Sequence, residues 1–355
     1  MGVYHLMGLG LSPGAVTGPI SYLAELYQNW ETEGKDFFAR SGEAEQRQDG
    51  KQVGSIQLLV IFTTKEVIDG QEKCEHYIKN PYGQVSGNPE KHTGNMKQVL
   101  EPLLKEEWSK FIDKEEEKES SKVKPQKKTG TIYWVEVDRR DIKTTYERIA
   151  KVVASLAEGS GGQGKELWMN LTGGNNVINF ALQMAASLSG EVARLYYVQA
   201  VNDKAEKCVR YTNKDSYWVE VPMIPLVMND LNKRILNVVE ELQKIGTPCC
   251  QDIYGMLKQE YPYSCLLDNV EFADFVDKYM HPLWKAGLIA TEENCNEQYQ
   301  NDKNRLCRIG KEWDKIQQYD AIMKTALTEV EEQRLTIEKL AEQQTWITKQ
   351  EIQLN

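Results

Sequence analysis

The segment with the strongest chemical signature is Leu171–Gly190, LTGGNNVINFALQMAASLSG. The preceding LWMNL (Leu167–Leu171) reads as a strand, so Thr172, Gly173 and Gly174 fall between a strand end and a helix start. Glycines at such a junction let a ligand approach the backbone closely. The unpaired amides and the positive end of the helix dipole then favour a phosphate. Asn175 and Asn176 add neutral donors and acceptors at the same edge. The same residues also fit a plain helix N-cap behind a glycine turn, with no ligand at all.

A second junction of this kind is GLGLSPGAVT, Gly8–Thr17, which brings Gly10 and Ser12 to a strand end. Its glycines stand at 8, 10 and 14, Pro13 sits where a dinucleotide fingerprint has its third glycine, and no acidic residue follows at a strand end about 20 residues on. The Walker pattern is absent too, so NAD and ATP fit poorly. A third polar strand end is Thr63-Thr64-Lys65. In an open parallel sheet such ends converge on one crevice. No metal is expected: the four histidines (His5, His76, His92, His281) form no HxH or HExxH motif, and adjacent Cys249-Cys250 reads as helix-cap packing. Glu136 and Asp138 lie on a strand with no ExK to complete a nuclease metal site. No cofactor is expected.

The elements that must position these residues alternate. Strand-like runs at Tyr4–Gly8, Ile56–Thr63, Thr131–Val137, Leu167–Leu171 and Val192–Val201 are separated by helical patterns, with a capping hairpin at Cys208–Val221. IQLLVIFT is apolar on both faces, as a parallel sheet requires. The fold class is therefore α/β, a Rossmann-like, mostly parallel sheet over residues 1–222. Gly34–Gly54 and Lys114–Lys128 read as surface loops, although the basic end of the second could also reach an anionic ligand. From Pro225 the pattern turns helical: three helices (Leu231–Ile245, Gln251–Tyr261, Asn269–Lys285), then two short strands, Leu288–Thr291 and Leu306–Ile309. That is the winged-helix order, over 225–312. From Trp313 to Asn355 apolar residues recur every three or four positions, so 313–355 reads as one long heptad helix seeking a partner.

Length and charge set the outer limits. The 355 residues exceed one typical domain, and 41% hydrophobic content supplies real cores. The longest purely apolar run, Leu58–Phe62, is far short of a membrane helix, and no secretory signal is visible. A cytoplasmic protein is expected, its seven cysteines reduced. A net charge of -10 argues against coating duplex DNA.

Taken together, the Ser12 loop after the first strand, the TTKE second strand end, the late TGG junction and Val137–Ile142 (VDRRDI) resemble the CARF domain, the CRISPR-associated Rossmann fold. The resemblance covers about residues 1–222, and a winged helix behind a CARF domain is a known arrangement. It implies a homodimer that binds cyclic oligoadenylate, a messenger of type III CRISPR defence, across its two-fold axis. Cyclic tetra-adenylate is the expected ring. By similarity Gly10, Ser12, Thr64, Thr172, Gly173, Gly174, Asn175 and Asn176 are the ligand-binding residues. Many members carry Lys or Arg after the two glycines, where this chain has Asn175-Asn176, so Lys65, Arg139 and Arg140 are candidates for the phosphate charge. Two outputs follow. One is a sensor that signals through the winged helix. The other is a metal-independent ring nuclease in which Ser12, Asn175 and Asn176 would position a ribose hydroxyl for attack on the neighbouring phosphate. The HEPN pattern, arginine followed by four to six residues and histidine, is absent. DNA binding is disfavoured, because the third helix carries Glu271, Asp274 and Asp277 and residues 225–355 hold 15 Lys+Arg against 22 Asp+Glu.

Overall fold

The computed structural model describes residues 2–39, 54–77, 91–111, 129–160, 165–200, 216–221, 230–291 and 305–354. The chain forms two compact units, one of residues 1–224 with 323–355 and the other of residues 225–322.

Among the described residues, eight strands of the first unit appear before residue 225: β1 (Gly2–Gly8), β2 (Ile56–Thr63), β3 (Cys74–Tyr77), β4 (Lys91–Gly94), β5 (Thr129–Glu136), β6 (Lys165–Asn170), β7 (Val192–Ala200) and β8 (Ser216–Glu220). β9 (Ile289–Thr291) and β10 (Cys307–Ile309) belong to the second unit, and β11 (Ile347–Gln353) returns to the first. The main sheet runs β11-β5-β2-β1-β6-β7-β8. Its five inner strands are parallel, while β11 and β8 pair antiparallel at the edges. The expected α/β sheet is present, and its strand bounds fall within two residues of the apolar runs. β3 and β4 form a separate antiparallel hairpin that the sequence pattern did not reveal. The acidic-basic run 114–128 and the first part of the capping hairpin, 208–215, lie outside the described residues.

β1 is central: β2 and β5 lie to one side of it, β6 and β7 to the other. Right-handed crossovers put helices joining strands in opposite directions on opposite faces. Helix Gly14–Gln28 accordingly packs with Met96–Ser109, and Ile142–Ser160 with Asn176–Ser189. Val3, Met7, Leu59, Ile61, Trp134, Trp168 and Tyr196 share one core with the first helix pair. The alternate residues Tyr4, Leu6, Leu58, Val60, Tyr133 and Val135 are buried as well, as two covered faces demand.

The single heptad helix expected over 313–355 is not what forms. Helix Lys311–Gln333 ends at Arg334, which takes a left-handed φ of 47°; helix Ile337–Gln343 follows, and the chain then extends as β11. The apolar stripe of the tail is satisfied at home: Met323, Ala326, Val330, Ile337, Leu340, Ile347, Ile352 and Leu354 are all buried. β11 pairs with β5 from Ile347 against Val135 to Gln353 against Thr129, and Trp134 Nε1 donates to Gln350 Oε1 at 2.8 Å. Residues 225–322 are thus an insertion in the α/β unit rather than a middle domain followed by a free helix.

In the second unit, helices Asp230–Gln243, Cys250–Gln259 and Phe272–Lys285 surround Ile235, Val239, Ile253, Leu257, Phe275, Met280 and Leu283. The third is not uniform. It widens to a π-type turn over Val276–Met280, just ahead of Pro282. β9 and β10 pair antiparallel, and Cys249 bridges Leu306 just ahead of β10. Cys249 caps helix Cys250–Gln259, its backbone N–H donating to Asp252 Oδ2 at 2.9 Å, in keeping with the cap expected there. Arg234 braces the unit through both oxygens of Glu241 (2.6 and 3.1 Å) and through Glu260 (2.9 Å).

Candidate functional site: the crevice where strand order reverses

β1 and β6 are parallel neighbours, with Met7 opposite Asn170. Their following helices leave on opposite faces, so the chain parts at their carboxyl ends and leaves a crevice there. The two loops singled out by sequence, Gly8–Pro13 and Leu171–Asn175, emerge at this point.

Each loop is anchored. Leu9 N donates to Phe62 O at 2.9 Å, and the buried Thr63 hydroxyl donates to Leu9 O at 2.8 Å, which fastens the first loop to β2. Asn170, fully buried, holds both loops: its Nδ2 donates to Ala15 O (3.3 Å) and its Oδ1 accepts from Thr172 N (2.8 Å). Thr172 Oγ1 accepts from Val198 N at 2.8 Å, which ties the second loop to β7. Asn175 is the N-cap of helix Asn176–Ser189, its side chain accepting from Ile178 N at 3.0 Å.

The glycines divide into two kinds. A Cβ on Gly173 would press into the Gly8 carbonyl oxygen and stand 2.6 Å from Ala15 Cβ, and one on Gly8 would stand 2.9 Å from Gly173 O. These two bring the loops together backbone to backbone. Gly174, at φ +86°, supplies a left-handed turn that other residues rarely adopt. Gly10 is different: a Cβ there meets nothing within 4 Å, and its side of the loop is open. Of the glycines expected to admit a ligand, Gly10 faces open space, whereas Gly173 serves loop packing.

Ser12 is half-buried in the first loop, and its carbonyl accepts from Ala15 N at 3.2 Å. Asn176 is exposed at the first helical position. The crevice therefore joins Gly10, Ser12, Thr172, Gly174, Asn175 and Asn176. Thr64 and Lys65 follow β2, one strand away; Thr64 is buried ahead of the short helix Lys65–Ile68, and Lys65 is exposed. Arg139 and Arg140 follow β5, two strands from β1 and so roughly 10 Å from it.

The two arginines already have acidic neighbours. Arg139 pairs with Glu72 at 3.3 Å. Glu66 is held below the usual carboxylate range chiefly by its own backbone amide, with smaller contributions from Arg139 and Arg140. Asp138 Oδ1 accepts from Arg140 N at 2.8 Å, and Asp141 caps helix Ile142–Ser160 by accepting from Lys143 N (2.9 Å) and Thr144 N (3.2 Å). The VDRRDI segment thus builds a turn and a helix start. Its arginines sit beside Glu66 and Glu72 in a mixed-charge cluster.

Two residues that sequence reasoning missed hold the site together, Asn170 and Thr63. The signal for Asn170 was a lone amide in an apolar strand (LWMN), where burial demands a partner. Thr63 lay in the noted TTK strand end, but nothing local tells that its hydroxyl reaches the Leu9 carbonyl. Within β1, His5 is fully buried with Nδ1 3.0 Å from the Tyr196 hydroxyl; burial, helped by the Arg194 charge, lowers its pKa to about 3. It is a neutral core group. Among the described residues no cluster of three His, Cys, Asp or Glu is placed to hold a metal, and no helix is long and apolar enough to cross a membrane.

No family model matches the sequence. Over 283 residues the chain is 30% identical to an uncharacterized protein of Archaeoglobus fulgidus, an alignment that covers 73% of this chain and 81% of that protein.

Proposed function

The chain belongs to one family with the Archaeoglobus fulgidus protein, and within that family we propose that it is a CRISPR-associated sensor: a homodimer that binds cyclic oligoadenylate, cyclic tetra-adenylate first, at the crevice between β1 and β6. The observation that carries this reading is the meeting of two glycine loops at the carboxyl ends of adjacent parallel strands, where the strand order reverses. The open face at Gly10 gives a ring phosphate access to backbone, and the start of helix Asn176–Ser189 supplies amides and a positive dipole end. A two-fold ligand and an isologous dimer suit each other, since each copy would present the same edge.

The second unit is the proposed output element. Its helix order, the bridge at Cys249–Leu306 and the β9–β10 hairpin suit a winged helix. Glu271, at the cap of its third helix, and Asp274 and Asp277 on that helix are exposed, so a protein surface is a better partner than a phosphate backbone. The sensor reading is preferred to the ring nuclease because the Asn175 side chain is committed to capping. An amide held by Ile178 N is poorly placed to steer a ribose hydroxyl.

Calorimetric titration of the full chain with cyclic tetra-adenylate, followed by chromatography of the recovered nucleotide, tests this. Intact ligand bound with one ring per two chains is the expected result. Linear product would assign the ring-nuclease activity instead, and absence of binding would overturn the reading.

A further inference from the structure

Cys250 and Cys307 take no part in the crevice. Cys250 opens helix Cys250–Gln259, and Cys307 opens β10. Between them Cys249 and Leu306 form an antiparallel bridge, flanked by Cys250 N donating to Arg305 O (3.2 Å) and Cys307 N to Pro248 O (2.7 Å). In that register Cys250 and Cys307 project to the same face, opposite to Cys249 and Leu306, as diagonal neighbours. Their Sγ atoms are 3.5 Å apart, and both approach the Arg305 carbonyl oxygen, at 3.6 and 3.5 Å. Both residues are fully buried. A disulfide bond is about 2 Å long, so the sulfurs need to close by roughly 1.5 Å.

We propose that Cys250 and Cys307 form a reversible disulfide that clasps β10 to the head of helix Cys250–Gln259. With a peroxide as oxidant, one thiolate attacks the O–O bond to give a sulfenic acid and one water. The second thiol then attacks that sulfur, and its proton leaves with the hydroxyl as a second water. Two thiols and one peroxide thus yield one disulfide and two waters, and a dithiol reverses the step by exchange. Entry to the buried pair goes through opening of the β9–β10 pairing, in which three residue pairs join the strands among the described residues. Cys249 is a poor competitor. Burial and the Asp252 carboxylate raise its thiol pKa, and its side chain projects to the other face. The closed form fixes the wing-like hairpin of the second unit, and oxidation becomes a control on that element.

The test uses the full chain, treated with hydrogen peroxide and then with dithiothreitol. The expected result is a loss of two mass units that dithiothreitol restores, with proteolytic mapping linking the Cys250 and Cys307 peptides. Hydrogen exchange at the Cys307 and Ile309 amides should slow at least tenfold in the oxidised form. Cys249→Ser should retain the link, and Cys307→Ala should abolish it. If both thiols in the peroxide-treated wild type alkylate after denaturation, or if the link joins other cysteines, the proposal fails; this readout needs no variant to fold.

Discussion

Gly173→Ala places a methyl group between two loops that touch through their backbones. The added carbon would stand 2.6 Å from Ala15 Cβ and still nearer the Gly8 carbonyl oxygen. Neither neighbour is a flexible side chain, so relief requires moving one loop off the other. That motion also strains the Asn170 bonds to Ala15 O and Thr172 N. Overpacking a tight site costs typically about 1–3 kcal/mol, and with rigid neighbours on both sides about 3 kcal/mol is expected. In a unit of this size that lowers the melting temperature by roughly 6–12 °C. Gly10→Ala is the control. Its methyl meets open space, its φ is not left-handed, and the change should leave stability within about 1 kcal/mol of wild type. Both variants are compared by thermal unfolding followed by circular dichroism. A Gly173→Ala protein as stable as wild type would refute the backbone-to-backbone contact on which the crevice depends. Because Gly173 has this structural duty, and Gly174 its positive φ, Gly10→Arg is the cleaner probe of ligand access: binding of cyclic tetra-adenylate should drop with folding retained.

Three further outcomes follow from the same geometry. Deleting residues 345–355 removes β11 with the buried Ile347, Ile352 and Leu354; at about 1.5–3 kcal/mol for each side chain the loss is comparable with a domain's whole stability, and soluble yield and cooperative melting should collapse. A wild-type melt from that truncation would show that β11 is dispensable. The folded-state pKa of His5 is about 3, below its unfolded value of 6.5, so its contribution is complete above pH 6.5 and is lost as the pH falls toward 3, at roughly 1.4 kcal/mol per pH unit. His5→Asn should therefore flatten the acid limb of a denaturation series between pH 6.5 and 4.5, and an unchanged slope would mean that His5 is not buried neutral. Finally, the exposed acidic face of the third helix of the second unit should leave duplex DNA binding no tighter than the usual nonspecific range of about 10⁻⁴–10⁻⁶ M and strongly salt-dependent; a tight, sequence-specific footprint would restore a repressor role.

The sequence by itself determined the strands and the loops between them. IQLLVIFT, TIYWVEV and LWMNL could only be buried on both faces, and a parallel sheet was the architecture able to do that. The glycine junctions after β1 and β6 were legible for the same reason, since local backbone freedom is written in local residues. What those glycines do was not legible. Gly173 packs on Gly8 across more than 160 positions of chain, and only the register of β1 against β6 puts them together. The tail is the clearest case. Met323, Ala326, Val330, Ile337 and Leu340 satisfy helical spacing whichever surface covers them, so the pattern announced a buried stripe without naming its partner. Thr345–Leu354 carries no strict alternation, and its pairing follows from the edge that β5 leaves open, a vacancy that exists only once the parallel core has formed. The basic residues Arg139 and Arg140 give the same lesson for charge: their types suggested phosphate, but Glu66 and Glu72 stand beside them once β2 and β5 are side by side. Periodicity and residue type are local quantities, whereas the partner of a face or a charge is fixed by distant segments that meet only in the folded sheet.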